Sequence, residues 1–335
     1  MGTGDWWPRD LGPKQEMRRR VADNAAAPRT RLATTAITVG IVTRNRPMAL
    51  ARCLASLARL DGLARDIIVV DDASDEPIDG LVAASPASVV PLIRIVHQPG
   101  AQGPIVARNT IVRLASHECV LLLDDDAYVL DGGAIRRGLS VFDADAHVCA
   151  VAFAQAEADG APWPTAMQPA RVDWRCQVPA YIGFAHLLRR STFLDLGGYR
   201  EALHFYGEEK DFCIRALEAG RSVVYLPDAR VAHVPDRGGR SASRYLRHVI
   251  RNDCFYALFN EPWPLPGVSV PVRLVRYWRM RRHGGTEDAG GLRWILGELW
   301  RTFPSLLAAR RPVKWATIWR WRHLARLSPP WPSAM

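Results

Sequence analysis

A chain of 335 residues, 48% hydrophobic and 23% charged, is long and apolar enough to build one large globular domain or two. The net charge of +10 is uneven: residues 1–36 carry seven basic against four acidic groups, residues 37–260 sum to −2, and residues 261–335 carry thirteen against four. A near-neutral centre excludes a nucleic-acid-binding core, which would carry its own basic stripe, and no nucleic-acid partner is expected.

The six cysteines (Cys53, Cys119, Cys149, Cys176, Cys213 and Cys254) form no Cys-x-x-Cys pair. That argues against a zinc site or a disulfide frame and for a reducing compartment. No apolar run reaches the ~18 residues needed to span a bilayer. The segment around Asp5, Trp6 and Arg9 lacks a signal-peptide core and fails the myristoylation pattern. A cytoplasmic protein is expected.

Residues 1–36, rich in Gly, Pro, Arg and Ala without periodicity, read as an arm with at most a short helix near Glu16–Val21. Order should begin with the β-branched strand Ile37–Thr43. It ends in Thr43-Arg44-Asn45-Arg46-Pro47, and Pro47 suits the start of a helix carrying Leu50, Cys53, Leu54 and Leu57 at helical spacing. A second strand over 66–70 ends in Asp71-Asp72. A third over 92–96 leads through a loop into a helix bearing Arg108 and Asn109. The fourth, Leu121-Leu122-Leu123, runs straight into Asp124-Asp125-Asp126. Three adjacent carboxylates cannot be buried unpaired. They belong at the strand's end, either solvated as an acidic loop or facing a cation. Hard oxygen ligands of this kind favour magnesium or manganese held together with phosphates.

Strands alternating with helices imply an α/β fold with a mostly parallel sheet and ligands outside the carboxyl ends of its strands. Three such ends deliver polar side chains: Thr43-Arg44-Asn45, Asp71-Asp72 and Asp124-Asp125-Asp126. No Gly-x-Gly-x-x-Gly follows the first strand, and no Gly-x-x-x-x-Gly-Lys-Ser/Thr occurs. A dinucleotide oxidoreductase and a P-loop NTPase are therefore disfavoured, and a bound diphosphate would need a metal for neutralisation.

The ordered series Val39–Pro47, Ile68–Ser74, Ala107-Arg108-Asn109, Leu122–Ala127, Gly183-Phe184-Ala185, Leu188–Phe193, Gly197–Glu201, Gly207–Arg215 and His233 resembles a family-2 glycosyltransferase of the GT-A fold, over roughly residues 37–255. The resemblance implies inverting transfer of a sugar from a nucleoside diphosphate sugar (UDP-, dTDP- or GDP-linked) to a hydroxyl acceptor, with Mn2+ or Mg2+. It implies Thr43 near the base, Asp72 accepting from the pyrimidine ring N–H, Asp125 facing the ribose and Asp126 holding the metal. Asp124 stays ambiguous, since the working pair reads as 124/126 or as 125/126. Arg44, Asn45, Asp71, Arg108 and Asn109 join the expected donor site.

The second half should supply the base. The family shows Glu-Asp-x-Asp where this chain has Glu208-Glu209-Lys210-Asp211, opening a helix expected over 212–219. Glu209 fills the position of the family's base aspartate and is named general base, with Glu208 and Asp211 as alternatives. Acids in a first helical turn are favoured by the helix dipole, and Asp211 best fits that structural role. In the family a His at the point of His233 can complete the metal shell, although a lone His is more often structural. Gly183 is expected to line the sugar pocket, where a missing side chain admits close approach. Trp163 and Trp174 would stack on sugar faces or sit in the core. Arg244, Arg247, Arg251 and Asn252, on a basic helix over 241–256, would close over the diphosphate or form a solvated face.

Residues 261–335 hold eight of the twelve tryptophans. Leu292, Ile295, Leu299, Phe303 and Leu306 are expected on one helical face, interleaved with Arg293, Arg301 and Arg310. Basic helices with Trp on the apolar side read as membrane-surface elements, and peripheral attachment at the inner face of the cell membrane, toward a lipid-linked acceptor, is expected. The bland alternative is a face packed on the catalytic domain. The organisation is thus an arm (1–36), a GT-A domain (37–260, with a nucleotide-sugar half 37–130 and an acceptor and base half 131–260) and a basic Trp-rich helical tail (261–335). The competing function is a non-catalytic nucleotide-sugar-binding or basic interaction protein.

Overall fold

The structure, a computed structural model, describes residues 36–235, 241–283, 288 and 290–331; the expected N-terminal arm lies outside them, apart from residue 36. The described residues belong to one compact unit, Ala33–Met335. Its centre is a nine-stranded sheet built from β1 (Ile37–Thr43), β2 (Ala64–Asp71), β3 (Ile93–His97), β4 (Cys119–Asp124), β5 (Ala127–Val129), β6 (Val148–Ala156), β7 (Cys176–Val178), β8 (Ala185–Arg189) and β9 (Ser222–His233). The spatial order is β3-β2-β1-β4-β8-β6-β9-β5, with β7 also on β9. The first four in that order are parallel. β8 runs against both neighbours, and β9 is again parallel to β6.

Register levels the chemistry. Thr43 lies beside Asp71, and Val42 beside Asp124, so the three polar strand ends meet at one edge. β4 shows why the acids come last: Leu121 and Leu123 face one core while Val120 and Leu122 face the other. A strand buried on both sides has no place for a carboxylate until it leaves the sheet.

Helices cover both faces. On one lie α1 (Pro47–Ser56) and, beyond the short α2 (Asp79–Ala83), α4 (Gly132–Ala144). On the other lie α3 (Pro104–Leu114), α6 (Glu208–Glu218) and α7 (Ala242–Asn260), with α5 (Arg190–Asp195) between sheet and α6 in sequence. α3 sits close to β1: a Cβ on Gly40 would overlap Ile111. All six cysteines are buried thiols.

The segment after residue 260, expected as a tail, packs on the same body as α8 (Leu265–His283), α9 (Gly291–Ala308) and α10 (Trp315–Leu327). Tyr277 and Ile295 join Leu246, Ile250 and Cys254 of α7; Val313 and Ile318 join Ile214 and Tyr256. The half-buried pair Arg247–Asp288 ties the connection between α8 and α9 to α7, and the buried pair Arg251–Glu298 ties α9 itself to it. Beyond α10, Trp331 donates its backbone N–H to the Arg175 carbonyl and its ring enters the sheet's core. No structural break falls at residue 260. The five apolar residues expected on one face of α9 lie within an arc of about 80° on a helix turning 100° per residue, but only part of that face is covered: Ile295 and Leu306 are buried, whereas Leu292 and Phe303 are exposed. Among the described residues no helix is long and apolar enough to cross a membrane.

Candidate active site

Asp125 and Asp126 leave β4 buried and close around a cation of the protein's own. Arg46 Nη1 lies 3.0 Å from Asp125 Oδ1 and 3.2 Å from Asp126 Oδ2. Thr43 Oγ1 donates to the other oxygen of Asp125 at 2.9 Å. Burial, opposed by Arg46 and aided by Asp126 and Asp124, pushes the Asp125 carboxyl up to about 6. The sequence reading missed Arg46, although it sits in the quoted Thr43–Pro47 motif.

His233 arrives by strand pairing. β5 follows the acids immediately and runs antiparallel to the end of β9, so Ala127 pairs with His233, and Val234 donates its N–H to the Asp126 carbonyl. His233 Nε2 is 3.6 Å from Asp126 Oδ1. Its ring is stacked between Trp163 and Phe184, at 5.3 and 4.8 Å between centroids. Gln155 gives its amide N–H to the Met167 carbonyl, which turns its Oε1 to His233 Nδ1 at 2.6 Å. The imidazole must then donate from Nδ1, leaving the Nε2 lone pair toward Asp126. Among the described residues no three His, Cys, Asp or Glu side chains converge at metal-ligand geometry. The donor set of buried carboxylates and one correctly tautomerised imidazole nevertheless suits a divalent cation such as Mn2+.

Asp124 turns the other way. Its Oδ1 accepts from Arg108 at 2.5 Å, and the same guanidinium binds buried Glu208 and the Gly183 carbonyl. Burial alone would pull Arg108 down, but Asp124, Glu208 and Glu209 hold it well above its ordinary value. Glu208 is thus locked in an ion pair. Glu209, the next residue, is half-buried and lies against Gly183, where a Cβ would overlap its Oε1. Burial and the adjacent Glu208 push the Glu209 carboxyl up to about 8. Both acids stand in the first turn of α6, which begins at Glu208, four residues before the expected start, behind Gly207 in the left-handed region (φ 86).

Four expected site residues have other employment. Asp211 is wholly buried, shared by Arg200, Arg215 and Asn260, and is a brace that no acceptor can reach. Asn109 is taken up by both backbone groups of Tyr199 and by Glu201. Asp71 accepts from Ser74 and faces His97, fixing the turn after β2. Asn45 ties its loop to Ser74 and Asp75, and Arg44 is exposed at the rim. Asp72 is buried and accepts the backbone N–H groups of Gln102 and Gly103, which leaves capacity for one further donor.

The helix α7 does not offer a basic clamp. Arg247 is paired with Asp288 and Arg251 with Glu298, while Arg244 is exposed. Asn252 instead holds the carbonyls of Leu203, Phe205 and Tyr206. Those contacts keep His204 (φ 56) and Tyr206 (φ 69) in a left-handed backbone costly for non-glycine residues, immediately before the acids of α6. Trp174 is exposed and donates to the Ser328 carbonyl.

Because Gly183 has an ordinary backbone conformation, Gly183→Ala should fold and displace only the Glu209 carboxylate. A small misplacement of a reacting group can cost about 10²-fold. The expected result is a turnover loss of that order with donor KM nearly unchanged, read by steady-state kinetics.

A parallel sheet whose strand ends carry this acidic cluster, extended by an antiparallel strand toward a helix opening on paired acids, is a GT-A fold. Solved structures agree on the fold: mannosyltransferase PcManGT from Pyrobaculum calidifontis, in complex with GDP-Man and Mn2+, superposes with TM-score 0.57 at 16% identity over 87% of both chains. S. aureus TarS 1–349 in complex with UDP-GlcNAc gives 0.55 at 15% identity, over 82% of this chain and 83% of that one. The model of glycosyl transferase family 2 matches residues 38–198 of this chain. The pre-mycofactocin glycosyltransferase of Mycobacterium tuberculosis is 32% identical over 211 residues, 59% of this chain and 42% of that protein. The uncharacterized glycosyltransferase YwdF of Bacillus subtilis is 28% identical, over 62% of this chain and 77% of its own length. The match to the M. tuberculosis relative thus spans less than half of that protein's length.

Proposed function

We propose that this protein is an inverting glycosyltransferase that moves a sugar from a nucleoside diphosphate sugar to a hydroxyl acceptor in the synthesis of a cell-surface glycan or glycolipid. The observation that carries the reading is the division of the acids. Asp125 and Asp126 close around positive charge at the strand ends, whereas Glu209, held up to about 8 beside Gly183, has the environment of a base. The glycosyl transferase family 2 match over residues 38–198 supports it, as do fold neighbours solved with UDP-GlcNAc or with GDP-Man and Mn2+.

Thr43 and Asp72 serve the base and Asp125 the ribose. Asp126 and His233 would hold Mn2+ or Mg2+, which when bound supplies positive charge against the diphosphate. Glu209 takes the proton of the acceptor hydroxyl as that oxygen attacks the anomeric carbon. The carbon–oxygen bond to the diphosphate breaks on the opposite face, the electron pair leaves with the phosphate, and the configuration inverts. Arg108 pins Glu208 and Asp124 so that neither competes for the proton. The protein acts in the cytoplasm, peripheral to the inner face of the cell membrane, on a lipid-linked acceptor.

A screen of UDP-, dTDP- and GDP-sugars for hydrolysis with Mn2+, Mg2+ or chelator tests this reading. One donor class should be hydrolysed, and chelator should abolish the reaction. A donor that binds yet is never turned over with any metal would leave a non-catalytic binding protein.

A further inference from the structure

The helices after residue 260 carry more apolar surface than their packing covers. On α9 Ile295 and Leu306, at one edge of the apolar face, are buried. Beside them Leu292, Leu296, Trp300, Phe303 and Leu307 recur at intervals of four, four, three and four residues, within an arc of about 80° on a helix turning 100° per residue. All five are exposed, Trp300 by 83%. Such a stripe on a folded surface is costly unless something covers it.

The flanking helices repeat the theme with charge added. On α8 the exposed Val268, Val272 and Val275 share a face with Arg282 farther along. On α10 the exposed Trp315 and Trp319 share a face with Arg322 and Arg326. Arg282 lies over the Trp278 ring at 4.4 Å. Residues 261–335 hold thirteen basic against four acidic side chains. Among the described residues beyond 261 the acids are Asp288, buried and bound by Arg247, and Glu298, bound by Arg251 and Arg301.

We infer that the outer faces of α8, α9 and α10 dock on an anionic lipid bilayer, with the α9 stripe entering the headgroup boundary and the arginines meeting lipid phosphates. Charge chooses this occupant. A second copy across a two-fold interface would set this strongly basic segment, thirteen basic against four acidic side chains, against itself. A polyanion such as nucleic acid would satisfy the arginines but leave the Leu, Val and Phe side chains in water. An anionic bilayer satisfies both. The inference rests on the proposed peripheral location and names the surface responsible.

The test uses the full chain without donor, so it is independent of whether sugar transfer occurs. Co-sedimentation is measured with vesicles of phosphatidylcholine alone and of phosphatidylcholine with about 30% phosphatidylglycerol, at low and at physiological salt. Binding should require the anionic lipid and weaken as salt rises. The variant Leu296→Ser/Trp300→Ser/Phe303→Ser should keep the circular-dichroism spectrum and lose at least about tenfold in partitioning. Binding indifferent to lipid charge, or equal binding by the variant, overturns the inference. So does a dimer seen by light scattering that the triple variant abolishes while the parent ignores vesicles.

Discussion

Glu209→Gln should abolish sugar transfer while leaving the donor bound. The substitution keeps the shape of the side chain and its place against Gly183 but removes the group that accepts the proton. Loss of a general base costs about 10²–10⁴ in rate. Donor hydrolysis and transfer are the activity readouts; donor affinity, by calorimetry, should stay within about threefold, since no donor contact is removed. Two pH effects separate this role from a structural one. In the parent, the base form of Glu209 accumulates as pH rises toward 8, so kcat/KM should climb through that range. Stability moves oppositely. The folded-state pKa of about 8 stands above the ordinary 4.5, so the folded chain binds the proton more tightly. The contribution is full below the ordinary value and is lost as pH rises through 8. Glu209→Gln, always neutral, should therefore melt a few degrees higher than the parent at pH 9 and show no such advantage at pH 4. Unimpaired turnover by this variant would return the role to Glu208, although Glu208 is held by Arg108.

What could be read in advance follows from the range of the interactions involved. β1 is found at Ile37–Thr43, as its β-branched run implies, because a strand buried on both faces must be apolar throughout. The three acidic strand ends were legible for the same reason: carboxylates mark where burial stops. The partnership of Asp126 with His233 is invisible locally. It depends on three residues of β5 pairing with the end of β9, a hundred positions later, and on Gln155 choosing the tautomer. Arg46 was passed over because a guanidinium beside a proline reads as a solvated helix start. Only the fold turns it onto Asp125 and Asp126. Asn109 and Asp211 illustrate the reverse. Both stand in the right motifs, yet the turn at Tyr199 and the pair Arg200 and Arg215 claim them. The tail's helices were legible as amphipathic, but the apolar face of α9 is wide, and only packing against α7 and α8 decides which part of it is spent on the core.

Substituting the three aspartates one at a time should give three different defects, and Asp126→Asn the most severe. Asp126 is buried with Arg46 on one oxygen and His233 Nε2 facing the other. Asparagine keeps the volume and deletes the charge a divalent cation needs, so Mn2+ affinity, read by electron paramagnetic resonance, should fall by at least about 10²-fold. Turnover should fall by about 10³ or more, because charge on the leaving diphosphate loses its counterion. His233→Ala should weaken Mn2+ binding in the same direction and less, since a neutral ligand is lost instead of a charge. Asp125→Asn should spare Mn2+ and raise donor KM, given its bonds to Thr43 and Arg46. Asp124→Asn should spare both and lower kcat, because that carboxylate faces Arg108 and, through it, the neighbourhood of the base. Retained Mn2+ affinity in Asp126→Asn together with its loss in Asp124→Asn would move the metal to Asp124. The expected pattern instead assigns Asp125 and Asp126 to the donor and leaves Asp124 as the link, through one buried arginine, between leaving group and base.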